Sequence, residues 1–183
     1  MCGGILRLEL GKDFAEKFLE ICGEHQWSPL RETGNSYEPR IWTNEIFNIL
    51  DTVAGKMKLK SKGDEMLRID RAYYKGEAHR PLIAIEHENI SKRDWESKIR
   101  RLLAVDARLR VLICYLPEKE QYALLRRIKA MLGVEMHAGR FNDEFLLILG
   151  KDYTNPIDRK SFTIYSYFPM IYKKRIYHSL LQE

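Results

Sequence analysis

Apolar residues recur along this chain with two different spacings. In Asp13–Cys22, residues Phe14, Phe18, Ile21 and Cys22 return every three or four positions, the stripe of a short helix (13–22) with Asp13 placed to cap it. Thr43–Val53 repeats that spacing with Ile46, Phe47, Ile49, Leu50 and Val53, and predicts a second helix for which Gly55 is a stop signal. Between them, Trp27–Arg40 holds Pro29, Gly34, Asn35 and Pro39 and reads as a loop. The spacing then shortens. Met66–Tyr74 and Leu82–Asn89 are apolar segments joined by the turn-like 75–81, which predicts two strands of a hairpin, with Met57 and Leu59 opening onto an earlier strand.

Beyond the hairpin, Ser91 and Asp94 have capping-box spacing, and the helix they introduce places Trp95, Ile99, Leu102 and Leu103 on one face. Leu109–Leu116 is a near-continuous apolar run, which suits a strand buried on both sides, and Pro117 ends it. Glu118–Leu132 predicts another helix closed by Gly133. Glu144–Leu149 is a second buried strand ended by Gly150, and Ser161–Tyr167 alternates as a further strand does. A hairpin followed by a helical crossover into a buried strand means a mixed central sheet flanked by helices, so the expected class is α/β.

The length of 183 residues favours a single domain, and 45% hydrophobic with 31% charged residues is the balance of a folded core. No apolar run approaches the ~18 residues of a membrane span, and the first residues lack the pattern of a secretory signal. Cys2, Cys22 and Cys114 are dispersed, against both a disulfide framework and a zinc site, and together these features predict a reducing, cytoplasmic setting. The formal net charge of +5 is compatible with a polyanionic partner without requiring one. No Ser-His-Asp spacing, Gly-rich phosphate loop or dinucleotide fingerprint occurs, which disfavours kinases, dehydrogenases and hydrolases of those types.

The carboxylates of the hairpin carry the candidate chemistry. Asp70, Glu86 and Glu88 stand in apolar strands, where carboxylates are disfavoured and costly to bury. With a period of two, Glu86 and Glu88 share one face, about 7 Å apart, while Ile83, Ile85 and His87 face the other way. The turn can bring Asp70 opposite them. A hard divalent cation, Mg²⁺ or Mn²⁺, turns such a repulsive cluster into a binding site. Asp70 and Glu86 would ligate it, the His87 backbone carbonyl could add a third oxygen, and Glu88 could hold a water. That arrangement is suited to phosphodiester hydrolysis.

An Asp, a hairpin turn, Glu-x-Glu at the end of an apolar strand, then an amphipathic helix and a buried strand resembles the PD-(D/E)xK nuclease superfamily. That group includes restriction endonucleases, junction resolvases and repair nucleases. The resemblance covers about residues 43–150 and implies a restriction endonuclease-like core of order αβββαβ. It also implies a Mg²⁺-dependent deoxyribonuclease with Asp70 and Glu86 as metal-binding acids. Two positions depart from the family pattern: Glu88 stands where the motif lysine is usual, and Ile69 where the motif name has proline. The missing cation could come from Lys98 on the following helix, as in some members, or Glu88 could itself orient the water. Glu45, early in the Thr43 helix, matches a helical acid that joins the metal site in parts of the superfamily.

Positive charge clusters near these residues. Lys92, Arg93, Arg100 and Arg101 precede and follow Lys98, and could contact phosphates or form a solvated helix face. The segment 151–183 reads as a basic, aromatic extension in which Lys173, Lys174 and Arg175 lie among tyrosines, as in single-strand binders. DNA is the expected partner, no membrane is expected, and a homodimer would present the two sites that cutting both strands needs. Two other readings stay open: a catalytically inactive nucleic-acid-binding or scaffold module on the same fold, and an unrelated α/β protein whose acids are surface features.

Overall fold

Among the described residues these stripes and runs form four helices and seven strands. A computed structural model describes residues 9–27, 39–62, 69–88, 95–116, 118–138, 143–150, 162–168 and 171–178. In chain order the elements are α1 (Glu9–Glu24), α2 (Pro39–Lys56), β1 (Lys60–Ser61), β2 (Arg71–Tyr74), β3 (Ile83–Glu88) and α3 (Trp95–Ala104). Then follow β4 (Leu109–Tyr115), α4 (Glu118–His137), β5 (Glu144–Gly150), β6 (Phe162–Phe168) and β7 (Ile171–His178). A single sheet holds the strands in the order β1-β2-β3-β4-β5-β6-β7. β3, β4 and β5 are parallel, and the outer pairings are antiparallel. Parallel neighbours need a crossover, and α3 and α4 supply the two required here.

Strand alternation divides the core into two layers. Ile83, Ile85, Val111 and Ile113 pack with Phe14 and Phe18 of α1 and Ile46 and Leu50 of α2. Ala84, Leu112, Cys114 and Leu147 pack with Ile99 and Leu102 of α3 and Leu124 and Ile128 of α4. Because both faces are covered, β4 and β5 are buried along their whole length, as their unbroken apolar runs require. The architecture is mixed α/β in three layers. Among the described residues no helix is long and apolar enough to cross a membrane.

Two buried charged residues serve helix ends. The Glu144 carboxylate accepts the Gly11 N–H at 2.7 Å, capping the first turn of α1, whose orphan donors favour an anion. Arg110, 3% exposed, donates to the Leu102 and Val105 carbonyls at 3.0 and 2.7 Å and so closes the C-terminal end of α3.

Several boundaries differ from those the sequence predicts. α1 begins at Glu9 rather than Asp13, because Glu144 provides the cap from another strand; Asp13 pairs instead with Lys17. α2 passes through Gly55, and the chain turns at Lys58, whose φ of 57° allows the Leu59 N–H to return to the Ala54 carbonyl at 2.8 Å. α4 continues past Gly133 to His137. One glycine costs a helix only about 1 kcal/mol, less than the packing of the stripe that carries Ile128 and Leu132 contributes. Within the basic, aromatic extension, β6 and β7 join the sheet, and β6 buries Phe162, Ile164 and Tyr165. The predicted capping box at 91–94, residues 28–38 of the loop and residues 66–68 lie outside the described residues.

Candidate functional site

The β2–β3 register places Arg71 opposite Ile85 and Ala72 opposite Ala84, which carries Asp70, one residue before β2, to a position across from Glu86. Both belong to the face covered by α3. That helix brings in the third member: Lys98 Nζ donates to Asp70 Oδ2 at 2.9 Å and to Glu86 Oε2 at 2.8 Å. The His87 backbone N–H donates to Asp70 Oδ2 at 2.7 Å, so one oxygen receives both an ammonium and an amide. Two carboxylates that share one nitrogen lie well inside the separation of about 8 Å beyond which no single cation could bridge them. The three side chains therefore meet at one point in the C-terminal half of β3, the end of a parallel strand where α/β folds place ligands.

Electrostatics separate the two acids. Glu86 is 0% exposed, and burial, reinforced by the neighbouring Asp70 charge, pushes its carboxyl up to about 7 in spite of Lys98. Burial would raise Asp70 as well, but the His87 amide and the Lys98 ammonium outweigh it and hold the carboxyl below its usual range. Burial likewise opposes the charge on Lys98, and the two acids overcome it, raising the ammonium above its ordinary value. Arg101 Nε approaches the other oxygen, Glu86 Oε1, at 3.1 Å. The approach is off the hydrogen-bond direction, so both buried atoms lack an aligned partner.

Other sequence-predicted residues fall elsewhere. Glu88 is half-buried on the Glu86 face, and its charge, after burial itself, raises the thiol of its β4 register partner Cys114. The cation beside the acids is thus Lys98 of α3, while position 88 contributes a carboxylate. Glu45 pairs with His25 on the α1–α2 side of the sheet, whereas Asp70, Glu86 and Lys98 meet on the α3–α4 side; this corrects the placement of Glu45 among the acids. The His87 ring faces α1 and α2, between Phe47 and Tyr115, with its Nε2 3.3 Å from the Tyr115 hydroxyl. Burial drives its pKa down to about 3, which leaves a neutral imidazole in the core.

Arg100 is exposed and paired with Glu96, which also takes Arg127. Lys173, Lys174 and Arg175 lie on β7, beside β6 at the edge of the sheet. Lys92 and Arg93 lie outside the described residues. The Arg101–Glu86 approach is the contact that sequence reasoning missed, although a spacing of three on a helix puts residues 98 and 101 on the same side.

The donor set fits a hard divalent cation. Asp70 Oδ2 and Glu86 Oε2 converge, and Glu86 Oε1 is a buried acceptor without an aligned donor. Mg²⁺ is commonly held by one or two carboxylates together with water and substrate phosphate. Among the described residues no group of three His, Cys, Asp or Glu side chains could hold a metal by itself. Comparison with protein-family models, with curated proteins and with solved structures found no match in any of the three.

Proposed function

We propose that this protein is a metal-dependent nuclease of the PD-(D/E)xK type acting on DNA phosphodiester bonds. The observation that carries the reading is the Lys98 ammonium bridging Asp70 and Glu86, two acids and a lysine at one point despite Glu88 in the motif position. The element order supports it: α2-β1-β2-β3-α3-β4, antiparallel through β3 and parallel from β3 to β4, is the order αβββαβ that the resemblance implies.

Asp70 and Glu86 would hold Mg²⁺ or Mn²⁺, and such a cation, when bound, activates water and offsets charge on the phosphate. The chain's own groups do the rest. Asp70 is held in place by the His87 amide and kept ionised at neutral pH, the charge state that a cation needs. Lys98 stays protonated and, anchored on α3, supplies the positive charge that position 88 does not. Glu86 is sealed from water beside Lys98 and Arg101 of α3, which strengthens each of these interactions.

A second reading, a nucleic-acid-binding or scaffold module that does not cut, is favoured by the two cationic side chains, Lys98 and Arg101, that already stand against Glu86. One assay separates the two. Duplex and single-stranded DNA are incubated with Mg²⁺ or Mn²⁺, with and without chelator, beside Asp70→Ala. Chelator-sensitive cleavage lost in the variant is expected. Cleavage that persists in Asp70→Ala, or none with either metal, would overturn the nuclease assignment.

A further inference from the structure

Arg101 stands three residues beyond Lys98 on α3, so both side chains reach β3 from the same side of the helix. They engage different oxygens of one carboxylate: Lys98 takes Glu86 Oε2 at 2.8 Å with good geometry, and Arg101 Nε lies 3.1 Å from Oε1 without it. A buried donor and a buried acceptor left unaligned are expensive, and such pairs in folded proteins call for an explanation.

The rest of the Arg101 side chain is not buried. It is 41% exposed, although its Nε and the whole of Glu86 are sealed from water. Among the described residues its Nε has no aligned hydrogen-bond acceptor. The guanidinium therefore touches the acid with its inner edge and offers its outer N–H groups to solvent beside Asp70 and Glu86. That outer edge is a fork whose spacing matches two oxygens of one phosphate, which the single ammonium of Lys98 cannot imitate.

We propose that Arg101 binds the phosphate brought to Asp70 and Glu86, through a two-pronged contact from its outward guanidinium edge. The inference rests on the nuclease reading of the site. It assigns the lysine and the arginine different tasks: Lys98 balances the acids, and Arg101 holds the substrate's charge.

The test measures binding and cleavage separately. Full-length protein is titrated into a short fluorescein-labelled DNA duplex, followed by fluorescence anisotropy with chelator present so that no strand is cut, across about 50–200 mM salt. Arg101→Gln should weaken binding on the order of tenfold and lower the slope of log affinity against log salt by about one, the mark of a lost phosphate contact. Arg101→Lys should keep most of the slope but lose severalfold in affinity, since it retains charge without the fork. Lys12→Gln, on α1 at the opposite end of the parallel strands, should match the wild type.

A folded Arg101→Gln protein with unchanged slope and affinity overturns the proposal, as does a wild type that does not bind the duplex. If Arg101→Gln melts early, Arg101→Lys decides: wild-type affinity in that variant overturns the two-pronged contact. Cleavage in Mg²⁺ is scored in parallel. A wild type that binds with the expected slope but never cuts overturns the nuclease reading and leaves the Arg101 phosphate contact supported by the binding data.

Discussion

Replacing Lys98 by Met removes the ammonium while keeping the length of the side chain, and leaves two carboxylates facing each other at the end of β3. Lys98 makes two charge-assisted hydrogen bonds, at 2.9 and 2.8 Å. Deleting one partner of a buried charge pair costs roughly 3–5 kcal/mol. Two features move the cost to the low end. Asp70 is 29% exposed in its side chain and keeps the His87 amide, and Glu86 can escape its charge by taking a proton. About 3 kcal/mol is expected at pH 8, where wild-type Glu86 is ionised.

The pH dependence has a definite sign. The folded-state pKa of Glu86, about 7, lies above its ordinary value of 4.5, so the fold binds a proton that the unfolded chain releases. Stability from this group is present at low pH and declines as pH rises from about 4.5 through about 7. At pH 5.5 Glu86 is mostly protonated in both proteins, and only the Asp70 contact separates them, about 1 kcal/mol. For a chain of this size each kcal/mol moves the midpoint by roughly 2–4 °C, so Lys98→Met should melt about 6–12 °C lower at pH 8 and about 2–4 °C lower at pH 5.5. Thermal denaturation followed by circular dichroism in chelator-containing buffer reads both. A variant as stable as wild type at pH 8, or one that loses as much at pH 5.5 as at pH 8, would refute the reasoning.

Two further outcomes concern residues away from the acids. Glu144, 5% exposed, is raised to about 7 by burial despite the Gly11 amide, so it too withdraws stability as pH rises from about 4.5 to about 7. Glu144→Gln keeps an acceptor for the Gly11 N–H and loses the charge. It should gain on the order of 2–3 kcal/mol at pH 8 relative to pH 5, read by urea denaturation, and an unchanged pH profile would count against the assignment. Gly150→Ala would set a methyl 2.2 Å from Tyr115 Cδ1, a ring held between Trp42, His87 and Phe162. A loss of about 1–3 kcal/mol with an altered near-ultraviolet circular dichroism spectrum is expected, and a variant indistinguishable from wild type would contradict that packing.

Much of the site was legible because strand geometry is local. The period of two put Glu86 and Glu88 on one face and His87 on the other, and the sheet keeps that division. The buried strands β4 and β5 announced themselves as unbroken apolar runs. Lys98 could be named as a candidate from its place beside the helix stripe, but not chosen over its basic neighbours. β7 was hidden because Lys173, Lys174 and Arg175 interrupt any apolar alternation, and an edge strand tolerates such residues. Glu45 misled because its partner His25 lies 20 residues away, at the end of a different helix.

The sequence by itself determined the α/β class, the two carboxylates that share a face, and the exclusion of His87 from them. These follow from periodicities of two and 3.6 residues, which nearest neighbours along the chain enforce. Only the tertiary structure decided which cation stands between Asp70 and Glu86, that Arg101 reaches the second oxygen of Glu86, and that Glu144 and Arg110 close helices α1 and α3. Each of those contacts depends on how a helix lies on the sheet. Burial and pairing between distant segments set that placement, and no local pattern encodes it.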